Sequence, residues 1–193
     1  MSRFSGEEPL RSEDSGERPR LRTYVLDRVL MQKGSLDERI DDREFDWVDE
    51  RLSELFPIRE RRAKVDLRLV EIPKDYTPKQ VWEMVSTDPE YKNEAGELLW
   101  EEAKVEHAVA VDADSRLREM AKGLKENEPM KVIATGSLEV SGDEWDGYSY
   151  AVTHLEFWDN GEHDLALQNI LHYRFSSGVN FLLLVRKSSK KKG

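Results

Sequence analysis

A concentration of aromatic side chains between residues 145 and 158 has the chemistry of a stacking surface. Tyr148, Tyr150 and Trp158 alternate along one face of a predicted strand. Proteins that bind single-stranded nucleic acid stack bases on such rings, each worth about 1–3 kcal/mol, in a positively charged groove. The alternative is that the rings fill the core or an interface. The candidate nucleic-acid-binding residues are Trp100, Lys104, Lys131, Trp145, Tyr148, Tyr150 and Trp158.

Histidine and carboxylate side chains near the same strand form a second candidate group. His154 and Glu156 share its face, and His163 follows after the strand ends. Imidazole with carboxylate suits Zn²⁺ or Fe²⁺, but no recognised ligand spacing is present, and the alternative is a solvated turn. The sequence also has no G-x-x-x-x-G-K-S/T, G-x-S-x-G or H-E-x-x-H motif. We therefore expect no catalytic residues, no metal site and no cofactor.

The formal charge of −10 is concentrated in one part of the chain. Residues 64–158 hold 11 basic and 21 acidic residues, so the remainder is neutral overall. This balance opposes phosphate contacts, which supply most of the energy of non-specific nucleic-acid binding. The last eight residues instead hold five basic residues and no acidic one. Such a tail suits nucleic acid or an acidic partner, although short basic tails are also typical of plain solvated ends.

Composition restricts the class of protein further. The absence of cysteine excludes disulfides and thiolate metal sites. No apolar run approaches the ~20 residues of a membrane span, and the N-terminus lacks the apolar region of a secretory signal. We expect a soluble, intracellular protein that does not enter a membrane.

The N-terminal third predicts a tail and an arm. Residues 1–20 are too polar to offset the entropy of ordering, so we expect a disordered tail. Residues 21–62 predict a helical arm, in which Leu21–Met31 and Asp41–Phe56 each carry an apolar stripe. The arm either packs on the rest of the domain or contacts a partner through Trp47, which lies off the stripe.

Residues 63–160 predict a compact domain of strands with two helices. Ala63–Ile72 alternates like a strand, and Thr77-Pro78-Lys79-Gln80 is a capping box that starts a helix. A glycine, Gly136, requires a bend or bulge in its strand. Residues 161–193 predict a hairpin extension with a basic tail, because Ser176-Ser177-Gly178 is typical of a hairpin turn. The remaining predicted elements are the strand Lys104–Asp112, the helix Asp114–Leu124 and the hairpin Met130–Val140 with Tyr148–Trp158.

Four pieces of the stretch 88–159 carry a family resemblance. They are Asp88-Pro89-Glu90-Tyr91, Val105–Val111, Gly123–Leu138 and the aromatic hairpin Trp145–Tyr150. In this order they resemble bacterial single-stranded DNA-binding proteins. The resemblance implies an oligonucleotide-binding (OB) β-barrel of five strands and binding of single strands. The capped helix at Pro78 and the basic C-terminus depart from that family, which has a strand and an acidic tail there.

Together these patterns predict an α+β fold. It has a small antiparallel OB-like β-barrel, an N-terminal helical arm and a C-terminal β-hairpin extension. The predicted function is binding of single-stranded DNA or RNA. The alternative is a non-catalytic subunit that uses the barrel and arm for contacts with a protein partner or with further copies of itself.

Overall fold

The computed structural model describes residues 19–31, 36–41, 45–55, 63–112, 115–126, 128–143 and 147–188. The predicted disordered tail lies outside these residues, apart from its last two. No helix among the described residues is long and apolar enough to span a membrane. The strands are β1 (Thr23–Met31), β2 (Trp47–Val48), β3 (Ala63–Glu71), β4 (Trp100–Glu102), β5 (Met130–Asp143), β6 (Gly147–Phe157), β7 (His163–Gln168) and β8 (Asn180–Arg186). The helices are α1 (Leu36–Asp41), α2 (Arg51–Leu55), α3 (Pro78–Thr87), α4 (Val105–Val111) and α5 (Ser115–Ala121), with a 3₁₀ turn at Pro89–Tyr91.

All eight strands belong to one mixed sheet in the order β1-β3-β8-β5-β6-β7-β2, and β4 also pairs with β8. The predicted closed barrel is therefore wrong. Its closure would need the edge strands β1 and β2 to pair, and neither pairs beyond its single neighbour among the described residues. The predicted C-terminal hairpin extension is also wrong. β8 lies at the centre of the sheet, antiparallel to β3 and parallel to β5.

The predicted N-terminal helical arm is absent among the described residues. Its first segment is β1, which pairs with β3 from Thr23 to Met31. Its second segment divides into β2 and the short helix α2. The apolar spacing of the first segment fits a short helix slightly better than a strand, but its pairing with the edge of β3 makes it a strand. The predicted strand 104–112 is likewise wrong, since it forms α4.

The sheet is buried on both faces. One face packs against α4 and α5, and its core includes Leu67, Val132, Leu155 and Leu183. The other face packs against α3, the 3₁₀ turn and the segment 169–176, with Ile133 and Leu182 at its centre. Burial on two sides explains why β8 is an almost continuous apolar run rather than an alternating strand.

Several local predictions are confirmed. Thr77 and Gln80 form the capping box of α3, with Gln80 N donating to Thr77 Oγ1 and Thr77 N donating to Gln80 Oε1. β5 and β6 form the predicted hairpin, and their register shifts between Ala134 and Leu138. Gly136 lies in this bulge. A Cβ atom there would come within 2.5 Å of the Glu102 carbonyl oxygen, so β4 and β5 approach closely only because the residue is glycine.

Candidate functional site

A row of polar side chains crosses the strands β5 and β6 on the α3 face of the sheet. Lys131 and Glu156 are cross-strand partners and form an ion pair. His154, two residues from Glu156 on the same face, places Nε2 2.8 Å from Glu156 Oε1. The predicted shared face of His154 and Glu156 is therefore confirmed. Both residues are buried, so the row is an internal network rather than a solvated turn.

Burial sets the charge state of this network. Burial, reinforced by the Lys131 charge, lowers the pKa of His154 to about 3. The imidazole is therefore neutral near pH 7, and its Nε2–H donates to the Glu156 carboxylate. Its Nδ1 is buried and has no hydrogen-bond partner among the described residues. Burial also lowers the pKa of Lys131 to about 8, against the opposing charge of Asp164.

A cleft of about 460 Å³ opens at the Lys131 end of this row. We call it the aromatic cleft. It lies between the end of β7, the start of β8 and the segment that joins them. Its main lining side chains are Lys131, Gln168, Asn169, Tyr173, Phe175 and Asn180. A volume of this size suits one small planar molecule, and the lining combines aromatic rings, carboxamides and an amine.

The aromatic rings lie on a segment whose backbone is hydrogen-bonded to α3 and to the loop between β3 and α3. Leu171 O accepts from Lys79 N at 3.3 Å, and Phe175 O accepts from Asp75 N at 2.9 Å. Tyr173 is 56% exposed and packs edge-to-face on Phe175, with ring centroids 5.3 Å apart. The backbone is therefore anchored on both sides of the exposed Tyr173 ring. The β5–β6 ribbon joins it through two contacts, Tyr150 against His172 and Asn169 Nδ2 donating to Ser149 Oγ.

Two of the predicted nucleic-acid-binding residues lie at or beside the aromatic cleft. Lys131 lines the aromatic cleft, and Tyr150 contacts the segment beside it. Trp158 lies past the end of β6, where its side chain hydrogen-bonds Asp164. Trp145 and the Tyr148 side chain lie outside the described residues.

The other two predicted residues do not line the aromatic cleft. Trp100 is buried in β4, with the Arg68 guanidinium 4.6 Å from its ring centroid. Lys104 is exposed at the start of α4. The aromatic cleft instead recruits Tyr173, Phe175 and Asn180, which the sequence did not single out. Tyr173 and Phe175 carry this signal in the sequence, but their alternation with polar residues favours a strand that leads into the Ser176–Gly178 turn.

The predicted histidine–carboxylate group is divided between the two faces of the sheet. His154 and Glu156 lie on the α3 face, whereas His163 lies on the α4 face and contacts Asp112. Among the described residues, no group of three or more histidine or acidic side chains could hold a metal ion. The separation follows from the alternation of side chains along β7, which points His163 away from the neighbouring Asp164.

Comparison with known proteins gives no match to a family model, a curated protein or a solved structure. The resemblance of residues 88–159 to bacterial single-stranded DNA-binding proteins thus stays a prediction.

Proposed function

We propose that this protein binds single-stranded nucleic acid and that one base occupies the aromatic cleft. The observation that supports this most is the exposed Tyr173 ring beside a cleft lined by Lys131 and three carboxamides. Every base offers a face for stacking, and carboxamides can both donate to and accept from a base edge. The cleft volume accommodates one base rather than a stretch of strand.

The charges predict the type of binding. Lys131 is already paired with Glu156, and Glu128 also lines the cleft, so few positive groups remain for phosphates. We therefore expect stacking and base hydrogen bonds to supply most of the affinity. The dependence on salt should be shallow, because each phosphate contact on a single strand adds only about −0.7 to the slope of log K against log salt.

The test is fluorescence anisotropy of a labelled oligothymidine of about 12 nucleotides at low salt. Tyr173→Ala should lower the affinity by about 1–3 kcal/mol, roughly 5- to 150-fold. Tyr173→Phe keeps the aromatic ring and should retain most of the affinity. Trp47→Ala is the matched control, because Trp47 is 52% exposed but sits on β2, at the edge of the sheet. Unchanged anisotropy of the wild type would refute the proposal.

Exposed apolar side chains favour a second candidate function, a non-catalytic assembly subunit. Tyr24, Val25 and Leu30 are exposed on the edge strand β1. Two copies of an edge strand can pair antiparallel around a two-fold axis, which extends the sheet across both subunits. The bulge between Leu26 and Val29 limits the length of such pairing.

Light scattering of the full chain tests this second function. Val25→Lys should convert a dimer to a monomer while leaving the fold intact, since Val25 is 42% exposed. Tyr173→Ala should leave the dimer unchanged. A wild-type monomer at all concentrations would remove the support for assembly through β1. Truncation before residue 63 is not a valid alternative, because it removes Leu26 from the core.

A further inference from the structure

A buried aspartate–histidine pair lies on the α4 face of the sheet, away from the aromatic cleft. Asp112 follows α4, and His163 begins β7. His163 Nδ1 lies 2.7 Å from Asp112 Oδ1, and the Asp112 side chain is fully buried. The His163 ring is held between Phe45 and Phe157, with centroids 5.1 and 6.4 Å away. Its backbone N–H donates to Asp46 Oδ2 at 2.8 Å.

This arrangement fixes which nitrogen of His163 can react. An ionised Asp112 only accepts hydrogen bonds, so Nδ1 carries the proton and donates it. The lone pair is then on Nε2, which has no hydrogen-bond partner among the described residues. A carboxylate that orients an imidazole in this way also stabilises its protonated form when the imidazole takes up a proton.

Arg118 completes the set of groups around the pair. Its Nε donates to the Asp112 backbone oxygen at 3.2 Å, and its Nη2 donates to Asp112 Oδ2 at 3.3 Å. Nη1 makes no hydrogen bond among the described residues, and the side chain is half exposed. The guanidinium is thus anchored at one side and has donors left on the other.

Both His163 and Arg118 line a cleft of about 370 Å³, which we call the His163 cleft. Phe157 and Trp158 also line it, and the exposed ion pair of Lys122 with Glu119 lies at its rim. The cleft therefore combines an oriented base, a positively charged hydrogen-bond donor and aromatic rings. A base for water and a donor for the developing oxyanion are two groups that promote acyl transfer to water, and the rings offer a surface for an aromatic substrate.

We propose that the His163 cleft hydrolyses small carboxylic esters that carry an aromatic group. A water molecule gives a proton to His163 Nε2 while its oxygen forms a bond to the ester carbonyl carbon. Arg118 Nη1 donates to the oxyanion that results. The bond from carbon to the leaving oxygen then breaks, and that oxygen takes the proton from Nε2, which yields a carboxylic acid and an alcohol or phenol. Asp112 is a positioning residue in this scheme.

The proposal is independent of nucleic-acid binding, because the two clefts lie on opposite faces of the sheet. The test uses the full chain with p-nitrophenyl acetate, and free imidazole at the same concentration sets the background. The wild type should exceed imidazole by about 100-fold, the lower end of the range for general acid–base catalysis. His163→Gln should lose this excess. His107→Gln is the control, since His107 accepts from Lys104 N in the cap of α4 and does not line the cleft.

Two further variants separate catalysis from folding. Asp112→Asn conserves shape but disturbs the tautomer, so kcat should fall about 10-fold or more while KM changes little. Arg118→Lys keeps a positive charge beside the buried Asp112 but removes Nη1, so it should lower kcat several-fold with only a small change in melting temperature. If His163→Gln does not fold, these two variants decide. The proposal would be overturned by a wild type that is no faster than imidazole, or by a folded His163→Gln variant that keeps the rate. It would also be overturned if both other variants kept the full kcat.

Discussion

His154 and His163 lie on adjacent strands of one sheet, and each is buried beside a carboxylate, yet their chemistry differs. His154 is enclosed under the α3 face, where Nε2 is used by Glu156 and Nδ1 has no partner. His163 uses Nδ1 for Asp112 and keeps Nε2 for a cleft. The same pair of residue types, a histidine with a carboxylate, therefore forms a closed internal network on the α3 face. On the α4 face it leaves one imidazole nitrogen available to a ligand. The covering layer decides which nitrogen a ligand can reach.

Gly136→Ala should have the largest effect, because it disturbs the frame that holds both histidines. The added Cβ would meet two backbone oxygens of β4 and its exit, those of Glu102 at 2.5 Å and Ala103 at 2.8 Å. Backbone cannot move away as a side chain can, so we expect a loss of about 4 kcal/mol or more. Gly123→Ala is the control, since its Cβ meets only an ordinary contact at 3.6 Å. Urea denaturation of both variants gives the comparison, and equal midpoints would contradict this account of the bulge.

Substitution of the carboxylate beside each histidine should lower the free energy of unfolding by different amounts at the two sites. Glu156→Ala leaves a largely buried Lys131 charge and a buried His154 donor without partners, so we expect a loss of about 3–5 kcal/mol in the free energy of unfolding. Asp112→Ala should cost less, about 1–3 kcal/mol, because the half-exposed Arg118 can turn to solvent. Chemical denaturation at neutral pH measures both. If Asp112→Ala cost as much as Glu156→Ala or more, the His163 site would be at least as enclosed as the His154 site.

The pH dependence of stability should report on the enclosed His154. The folded pKa of His154, about 3, lies below its ordinary value, so the unfolded chain binds more protons between about pH 3 and 6.5. This contribution is fully present above pH 6.5 and is lost as the pH falls toward 3. His154→Gln should reduce the slope of unfolding free energy against pH by up to about 1.4 kcal/mol per pH unit in that window. The slopes of the two proteins above pH 7 should agree, and identical slopes throughout would exclude a buried neutral His154.

Lys122→Gln should have the smallest effect. Its ion pair with Glu119 spans three residues on α5, and both side chains are about two-thirds exposed. Such pairs contribute about 0.2–0.5 kcal/mol, and salt screens them. Thermal unfolding should therefore change by about a degree, and p-nitrophenyl acetate hydrolysis should stay the same. A large loss of hydrolysis would place Lys122, rather than Arg118, at the oxyanion.

The sequence alone determined the features that neighbouring residues encode. The capping box Thr77–Gln80 contains its own hydrogen-bond partners, so α3 follows from four residues. The alternation of side chains along β6 places His154 and Glu156 on the same face, whichever strands pair with β6. Gly136 marks a bulge because a strand tolerates glycine poorly elsewhere.

Only the tertiary structure decided the features that depend on distant partners. Residues 23–31 became a strand because β3 offers an edge, and residues 105–111 became a helix because they pack on one face of the sheet. The insertion of β8 between β3 and β5 turned a predicted extension into the centre of the fold. The same insertion set the position of the aromatic cleft, since Asn180 and Lys131 are register partners across β8 and β5. Pairing between strands is long-range, and short apolar segments fit more than one element until a partner strand or helix buries one of their faces.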